Sequence, residues 1–146
     1  MGLSKLTDYA IVILTAMADS AHVHTASELA RQTRIPLPTV SKVLKALKKG
    51  GLVQSQRGVT GGYALSRQPG DISVAEVIVA MEGPIGMTAC SVRDGACALE
   101  AHCGAREAWS RLSHRIRGVL EEVSLQEFGR SSGTGAGIDR RPGVTR

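Results

Sequence analysis

Aromatic side chains are scarce in this chain of 146 residues, which contains one Trp, two Tyr and one Phe. Its core must therefore be aliphatic, and a 42% hydrophobic content is enough for one ordinary domain. Long apolar runs are also lacking: the run AIVILTAMA at 10–18 is too short to span a bilayer and predicts a buried first helix. Walker and GxGxxG phosphate motifs are absent, and no nucleophile motif or acid-base pair frames the Ser, His and Asp residues. These absences argue against a membrane protein, an enzyme and a small-molecule substrate.

Acidic residues are missing from one long stretch. No Asp or Glu occurs from Leu29 to Gly70, although this stretch contains eight Lys and Arg residues. They are Arg31, Arg34, Lys42, Lys45, Lys48, Lys49, Arg57 and Arg67. Charge of a single sign favours a polyanionic partner, because neutralised phosphates release counterions and supply most nonspecific affinity for nucleic acids. A solvated lysine-rich helix face would give the same charge pattern, so the order of the elements must decide between the two.

That order predicts a helix-turn-helix. Thr25 and Glu28 have capping-box spacing and predict a short helix that continues to about Thr33. After prolines 36 and 38, apolar residues recur at i, i+3, i+4 and i+7 and predict a second helix that ends at Gly50. The recurring residues are Val40, Val43, Leu44 and Leu47. The other faces of this helix are polar and basic, as in a recognition helix that enters the major groove.

A predicted β-hairpin follows the helices. Strand-like runs at 52–57 and 63–66 flank a glycine-rich loop at 58–62, and the whole is typical of a winged helix, mainly α with a small β-hairpin wing. Arg57 lies at the wing, where an Arg commonly reaches the minor groove or a phosphate. Ser73 and Glu76 predict another capping box and a helix that supports the wing. The predicted contacts with a double-stranded DNA operator are Thr39, Ser41, Lys42, Lys45, Arg57 and Tyr63.

The cysteines are confined to one segment. Cys90, Cys97 and Cys103 lie in a loop rich in glycine and small residues, and the rest of the chain has no cysteine. An odd number of thiols cannot pair completely into disulfides, so we expect the reducing cytoplasm as the compartment. Clustered soft thiolates favour an iron-sulfur cluster, and zinc comes second because the spacing differs from that of common zinc motifs. A thiol switch without metal and three unrelated small side chains remain as alternatives, and both types of metal site usually need a fourth ligand.

Several motifs together resemble a known bacterial family. They are LTDYA at 6–10, PTVSK at 38–42, Arg57 followed by GGY at 61–63, and MEGPIGMT at 81–88, which leads into the cysteines. Residues 1–128 resemble regulators of the SUF iron-sulfur assembly system, within the family that includes IscR-type and NsrR-type repressors. The resemblance implies a homodimeric winged-helix repressor whose DNA binding depends on a 2Fe-2S or 4Fe-4S cluster. Two alternative functions remain. An electron-transfer protein would use the cysteines but have no use for the winged helix. A zinc-responsive repressor would bind DNA in the same way, with zinc in place of the iron-sulfur cluster.

The fourth ligand is where the chain departs from this family. IscR-type members have a histidine three residues after the third cysteine, whereas this chain has Arg106 there, which cannot ligate iron. NsrR-type members use an aspartate of the first helix of the other subunit, and Asp8 stands at that position. His102, Glu100 and Glu107 are alternatives close to the third cysteine. Asp8 could equally be a helix N-terminal charge, and His102 an ordinary surface residue.

A long helix is predicted after the cysteine loop. Apolar residues step by three and four from Trp109 to Val123 and predict a helix from about Ala105 to Leu125 that pairs two subunits. The sequence therefore divides into four parts. They are a winged-helix DNA-binding domain at 1–82, a cysteine-rich cluster-binding loop at 83–104, a dimerisation helix at 105–128 and a disordered basic tail at 129–146.

Overall fold

A computed structural model describes residues 2–131 of the chain. The helices are α1 (Lys5–Ala18), α2 (Ala26–Thr33), α3 (Leu37–Lys49), α4 (Val74–Glu82), α5 (Ala89–Val92), α6 (Arg106–Glu122) and α7 (Leu125–Ser131). The strands are β1 (Val53–Gln56) and β2 (Gly62–Leu65), and short 3-10 turns cover Pro69–Asp71 and Glu100–His102. The predicted class, mainly helical with one small hairpin, is confirmed. No helix within residues 2–131 is long and apolar enough to cross a lipid bilayer.

Both predicted capping boxes are present. At α2, the backbone N–H of Thr25 donates to Glu28 over 2.9 Å, and the Glu28 N–H donates back to the Thr25 hydroxyl over 3.1 Å. The first of these bonds lowers the pKa of Glu28, because it stabilises the ionised carboxylate. Ser73 and Glu76 make the same exchange at α4 over 2.9 and 3.2 Å. Local sequence alone therefore sets where these two helices begin.

The main core lies among the first four long helices. Its largest fully buried side chains include Ile13, Leu14, Leu29, Leu44, Leu47, Leu52, Ile72 and Leu125. The helix-turn-helix stripe of α3 is fully buried, as its periodicity predicts. Pro38 is accommodated because it lies in the first turn of α3, where no backbone N–H is needed for the helix. A second, smaller core packs α4 against α6.

The wing is tied to the chain just before α2. Strands β1 and β2 are antiparallel, with Gln56 opposite Gly62. Tyr63 exchanges two backbone hydrogen bonds with His24, of 2.8 and 2.7 Å. Gly62 makes this approach possible, because a Cβ atom there would lie 2.4 Å from the carbonyl oxygen of His24.

The predicted long C-terminal helix is interrupted. Instead of running to Leu125, α6 ends at Glu122 and a separate helix α7 begins after Ser124. The interruption arises from a short backbone pairing with the segment before α4: Val74 N donates to Val123 O over 2.9 Å, and Leu125 N to Ile72 O over 2.8 Å. Consequently Leu125 enters the main core, and α7 packs against α1.

Two other predicted boundaries differ from the structure. The cysteine segment 83–104 is not wholly irregular, because a hydrogen bond of 3.0 Å from Thr88 N to the Ser91 hydroxyl caps the single turn α5. A 3-10 turn follows at Glu100–His102. The predicted disordered tail at 129–146 lies outside the described residues from 132 onward, and its first three residues belong to α7.

The buried position of Leu125 generates a stability prediction. Leu125→Ala should lower the free energy of unfolding by about 2–5 kcal/mol, because it removes a core side chain that fastens α7 to the rest of the fold. Leu99→Ala is the matched control, since Leu99 is exposed and should change little. Chemical denaturation of both variants measures the difference. Equal stabilities would show that α7 does not contribute to the folded core.

Candidate nucleic-acid interface and metal centre

The outer surface of α3 presents the predicted recognition residues. Lys42 and Lys45 are exposed, and Thr39 and Ser41 are half-buried near the start of the helix. The opposite face holds the four buried apolar residues that anchor α3 to the core. The long basic side chains are therefore free to reach phosphates, and the short hydroxyls lie where a recognition helix usually contacts base edges.

The wing places its two predicted contacts differently. Arg57 is exposed and directly follows β1 at the tip of the hairpin. Tyr63 lies in β2, is half-buried and packs against the main core. The side chain of Tyr63 therefore joins the wing to the core, whereas that of Arg57 is the more exposed of the two.

Most of the basic stretch is free of carboxylate partners. Within residues 2–131, Arg67 is the one member of the eight that forms an ion pair, to Glu76 over 2.6 Å. Although burial opposes ionisation of Glu76, the hydrogen bonds from Arg67 and Ser73 lower its pKa. The other basic residues leave a positive surface along α2, α3 and the wing, which suits a polyanion.

The three cysteines lie on one loop between α4 and α6. Cys90 is half-buried on α5, Cys97 is half-buried in the following turn, and Cys103 is exposed. Thr88 Oγ1 lies 3.2 Å from Cys90 Sγ. The three sulfur atoms do not all lie within 4.8 Å of one another, as a group, in the described part of the chain. The three thiols therefore share one loop, but their sulfur atoms are not arranged around a common centre.

A buried serine fastens this loop to α6. The Ser113 hydroxyl accepts a hydrogen bond of 2.9 Å from Met87 N and lies 3.0 Å from the Ser91 hydroxyl. Ser113 is buried, although most of α6 is exposed. Sequence reasoning missed it, and the available signal was a small polar residue one turn after Trp109 within the apolar stripe.

Arg106 closes the other end of the loop. Its guanidinium lies 2.8 Å from an Asp94 oxygen and 2.7 Å from a Glu100 oxygen. The second oxygen of Glu100 accepts from Gly95 N over 2.6 Å. Arg106 therefore acts here as a cross-link between the two halves of the segment 94–106.

The candidates for a fourth ligand are dispersed. Glu100 is held by Arg106, and Glu107 is paired with Arg111 over 2.6 Å on the exposed side of α6. His102 is exposed on the 3-10 turn, and Asp8 is exposed in the first turn of α1. Asp8 and His102 therefore remain the two candidates whose side chains are not occupied by an ion pair within residues 2–131.

Glu82 links the beginning of the cysteine loop to α1. As the last residue of α4, it accepts hydrogen bonds from the backbone N–H of Ser4 and, over 2.9 Å, from the hydroxyl of the buried Thr7. The Ser4 bond lowers the pKa of Glu82, so the link is maintained by an ionised carboxylate at neutral pH. The loop is thereby tied to the helix that carries Asp8.

Comparison with known proteins matches this architecture. Residues 3–130 match the Rrf2 family model, described as an iron-dependent transcriptional regulator. The chain belongs to the Rrf2 family. It is 35% identical over 130 residues to the HTH-type transcriptional regulator IscR of Photorhabdus laumondii, covering 85% of this chain and 78% of that protein.

Solved structures of similar proteins share the winged-helix fold. The global cysteine regulator CymR of B. subtilis has a TM-score of 0.71 at 25% identity, covering 90% of this chain and 98% of CymR. The IscR structure from T. potens has a TM-score of 0.67 at 23% identity, with 90% and 88% covered. This Rrf2 chain is therefore a transcriptional regulator, and the predictions of the family and of a non-enzymatic protein are confirmed.

Arg106 generates a prediction about the loop of this Rrf2 regulator. Arg106→Gln should speed amide hydrogen exchange several-fold across residues 94–103, because it removes both ion pairs of the cross-link. Global stability should change by less than about 1 kcal/mol, since the pairs are partly exposed. Arg111→Gln, which breaks an ion pair outside the loop, is the control. Identical exchange in the two variants would contradict the cross-link.

Proposed function

We propose that this protein represses genes of the SUF iron-sulfur assembly system, and that an iron-sulfur cluster on Cys90, Cys97 and Cys103 controls its binding to operator DNA. The observation that carries the proposal is the combination, in one chain, of an unpaired basic helix-turn-helix and a three-thiol loop fastened to the same scaffold. The relatives named IscR support the cluster. The choice of SUF genes and the sign of regulation rest on the family resemblance. We place the protein in the cytoplasm, because its proposed DNA target lies there and because thiols stay reduced in that compartment.

The donor set fits such a cluster. Three thiols on a single loop, with Thr88 beside Cys90, are the soft ligands that iron-sulfur clusters use. When bound, a 2Fe-2S or 4Fe-4S cluster supplies a cross-link among the thiolates that oxidation or iron loss can remove. The residues of the chain transmit this change: Glu82, Ser113 and Arg106 connect the loop to α1, to α6 and across itself.

A homodimer built on α6 completes the proposal. The apolar stripe of this helix is open in the single chain: Trp109 is 39% exposed, Leu112 42% and Val119 62%. A second copy of the same stripe would bury these side chains in a two-fold contact. Such a dimer would present two α3 helices to the two halves of an operator. The spacing between the two α3 helices would then be the quantity that the cysteine loop controls.

The proposed DNA contacts can be separated by salt titration. Lys45→Ala should weaken binding to every sequence and reduce the salt slope by about 0.9, the value of one phosphate contact. Ser41→Ala and Thr39→Ala should instead change the preference between operators. Lys5→Ala is the matched control. Lys5 lies on α1, outside the predicted DNA-binding elements, and its ammonium group is near the ring of Tyr9. An unchanged slope for Lys45→Ala would show that this face of α3 does not meet the duplex.

The fourth ligand can be tested on anaerobically purified protein. Cys97→Ala should lose iron and sulfide. Its iron and sulfide content shows the effect of removing one cluster ligand, and the other variants are compared with it. If Asp8 ligates across the dimer, Asp8→Ala should alter the cluster's Mössbauer spectrum and uncouple cluster state from operator affinity, whereas His102→Ala should do neither.

The other outcomes of that experiment are equally informative. A spectrum altered only by His102→Ala would place the ligand within the loop of one subunit. Protein that carries zinc and no sulfide would favour a zinc-responsive repressor, and full cluster retention in Cys97→Ala would remove Cys97 from the site.

A further inference from the structure

A second group of potential metal ligands lies far from the cysteines in the sequence, in the segment between α1 and α2 and in the first turn of α2. One ligand atom each from His22, His24 and Glu28 lies within 4.8 Å of the other two. Within residues 2–131, no other three His, Cys, Asp or Glu side chains come this close. None of these three residues is among the predicted DNA contacts, and none belongs to the cysteine loop.

The chemistry of the three donors fits a particular class of ion. Two imidazole nitrogens and one carboxylate oxygen are a ligand set that Zn²⁺ uses, with a fourth position left for water or another donor. Zinc bonds to these atoms are about 2.0–2.2 Å long, so two ligands of one ion can be at most about 4.4 Å apart. The three ligand atoms lie within 4.8 Å of one another, close to this limit, and the exposed side chain of His22 is free to adjust.

Neighbouring groups already orient two of the three ligands. His24 is 2% exposed, and its Nε2 lies 3.3 Å from the Ser20 hydroxyl. If Nε2–H donates to that hydroxyl, the lone pair on Nδ1 is available to an ion. One oxygen of Glu28 accepts the Thr25 N–H over 2.9 Å, which fixes the carboxylate and leaves its other oxygen available. Ligating imidazoles and carboxylates are commonly held by such outer hydrogen bonds.

We propose that His22, His24 and Glu28 bind one divalent transition-metal ion of the zinc class at the start of α2. The ion would connect the segment before α2 to the first turn of that helix. Because His24 exchanges two backbone hydrogen bonds with Tyr63, the same ion also stiffens the attachment of the wing. The site is separate from the cysteine loop and binds its metal whether or not that loop carries a cluster.

Zinc binding tests the site directly. In the full-length chain with Cys90→Ser, Cys97→Ser and Cys103→Ser, which removes the competing thiolates, one Zn²⁺ per chain should remain after dialysis. Wild-type protein with alkylated thiols provides a second preparation, should the triple variant fold poorly. In both, Co²⁺ should give visible d–d absorption typical of nitrogen and oxygen ligands. Circular dichroism confirms that each preparation is folded.

Two variants of the proposed ligands, one control and one variant of a neighbouring residue then test the site. Glu28→Gln should lose the zinc although it preserves the helix cap, since Gln also serves at that capping position. His22→Ala should lose it as well, whereas His114→Ala, which changes an exposed histidine of α6, should keep it. Ser20→Ala should weaken binding by about 10–100-fold, the usual cost of losing an outer hydrogen bond.

A structural readout separates a built site from surface binding. In the chain without free thiols, zinc should slow hydrogen exchange of the Tyr63 amide. The same chain with the additional change His22→Ala should show no such effect. Absence of zinc from the thiol-free chain would overturn the proposal. Equal zinc content in the thiol-free chain, Glu28→Gln and His22→Ala would also overturn it. His22 and His24 would then be only neighbouring rings, with centroids 4.1 Å apart.

Discussion

The fold depends on the burial of α1. Its apolar residues Ala10, Ile13, Leu14 and Met17 recur at i, i+3, i+4 and i+7 and are almost completely inaccessible to solvent. Helices α2, α3, α4 and α7 and strand β2 all pack against this one helix. Because protein cores are close-packed, a displacement of α1 would be passed on to the elements packed against it, including α3 and the wing strand β2.

This central position gives the cysteine loop a route to the DNA-binding face. The loop begins one residue after Glu82, whose carboxylate holds Ser4 and Thr7 at the start of α1. In its middle it is fastened to α6 by Ser113, and at its end Arg106 joins its two halves. A change in how the thiols are ligated would therefore act between fixed points. Such points are needed for a local event to bias a global equilibrium between two arrangements.

What the sequence could predict is set by how far apart the interacting residues lie. The capping boxes at Thr25 and Ser73 and the buried stripe of α3 involve neighbours within a turn or two, so their spacing was sufficient. The end of α6 was not predictable in this way, since its apolar steps continue through Val123. The helix is interrupted by backbone pairing with residues about fifty positions earlier, and such tertiary contacts override local periodicity.

The candidate sites show the same division. The basic residues of α3 and the three cysteines could be found from composition and spacing, because charge and thiols are visible in any arrangement of the chain. The role of Arg106 could not, because it needs Asp94 and Glu100 folded back on the same guanidinium. Tyr63 is predicted to contact DNA from its place in the wing motif, and the structure adds that its half-buried side chain packs against the core. Alternation in a two-stranded hairpin cannot be assigned to a face until the packing partner is known.

The two proposed metal sites are connected to opposite ends of α1: Glu82, which precedes the cysteine loop, holds Thr7 at the start of the helix, and His22 and His24 follow its end. The helix has 14 residues and is therefore about 21 Å long, so these two connections are far apart. Their donors also differ: soft thiolates hold iron-sulfur clusters or zinc, whereas imidazole and carboxylate favour zinc and similar divalent ions. Zinc could occupy both sites only while the thiols are free, since a cluster would exclude it from the loop. Any coupling between the two sites would therefore be mechanical, with α1 connecting the anchor at Thr7 to the wing attachment at His24.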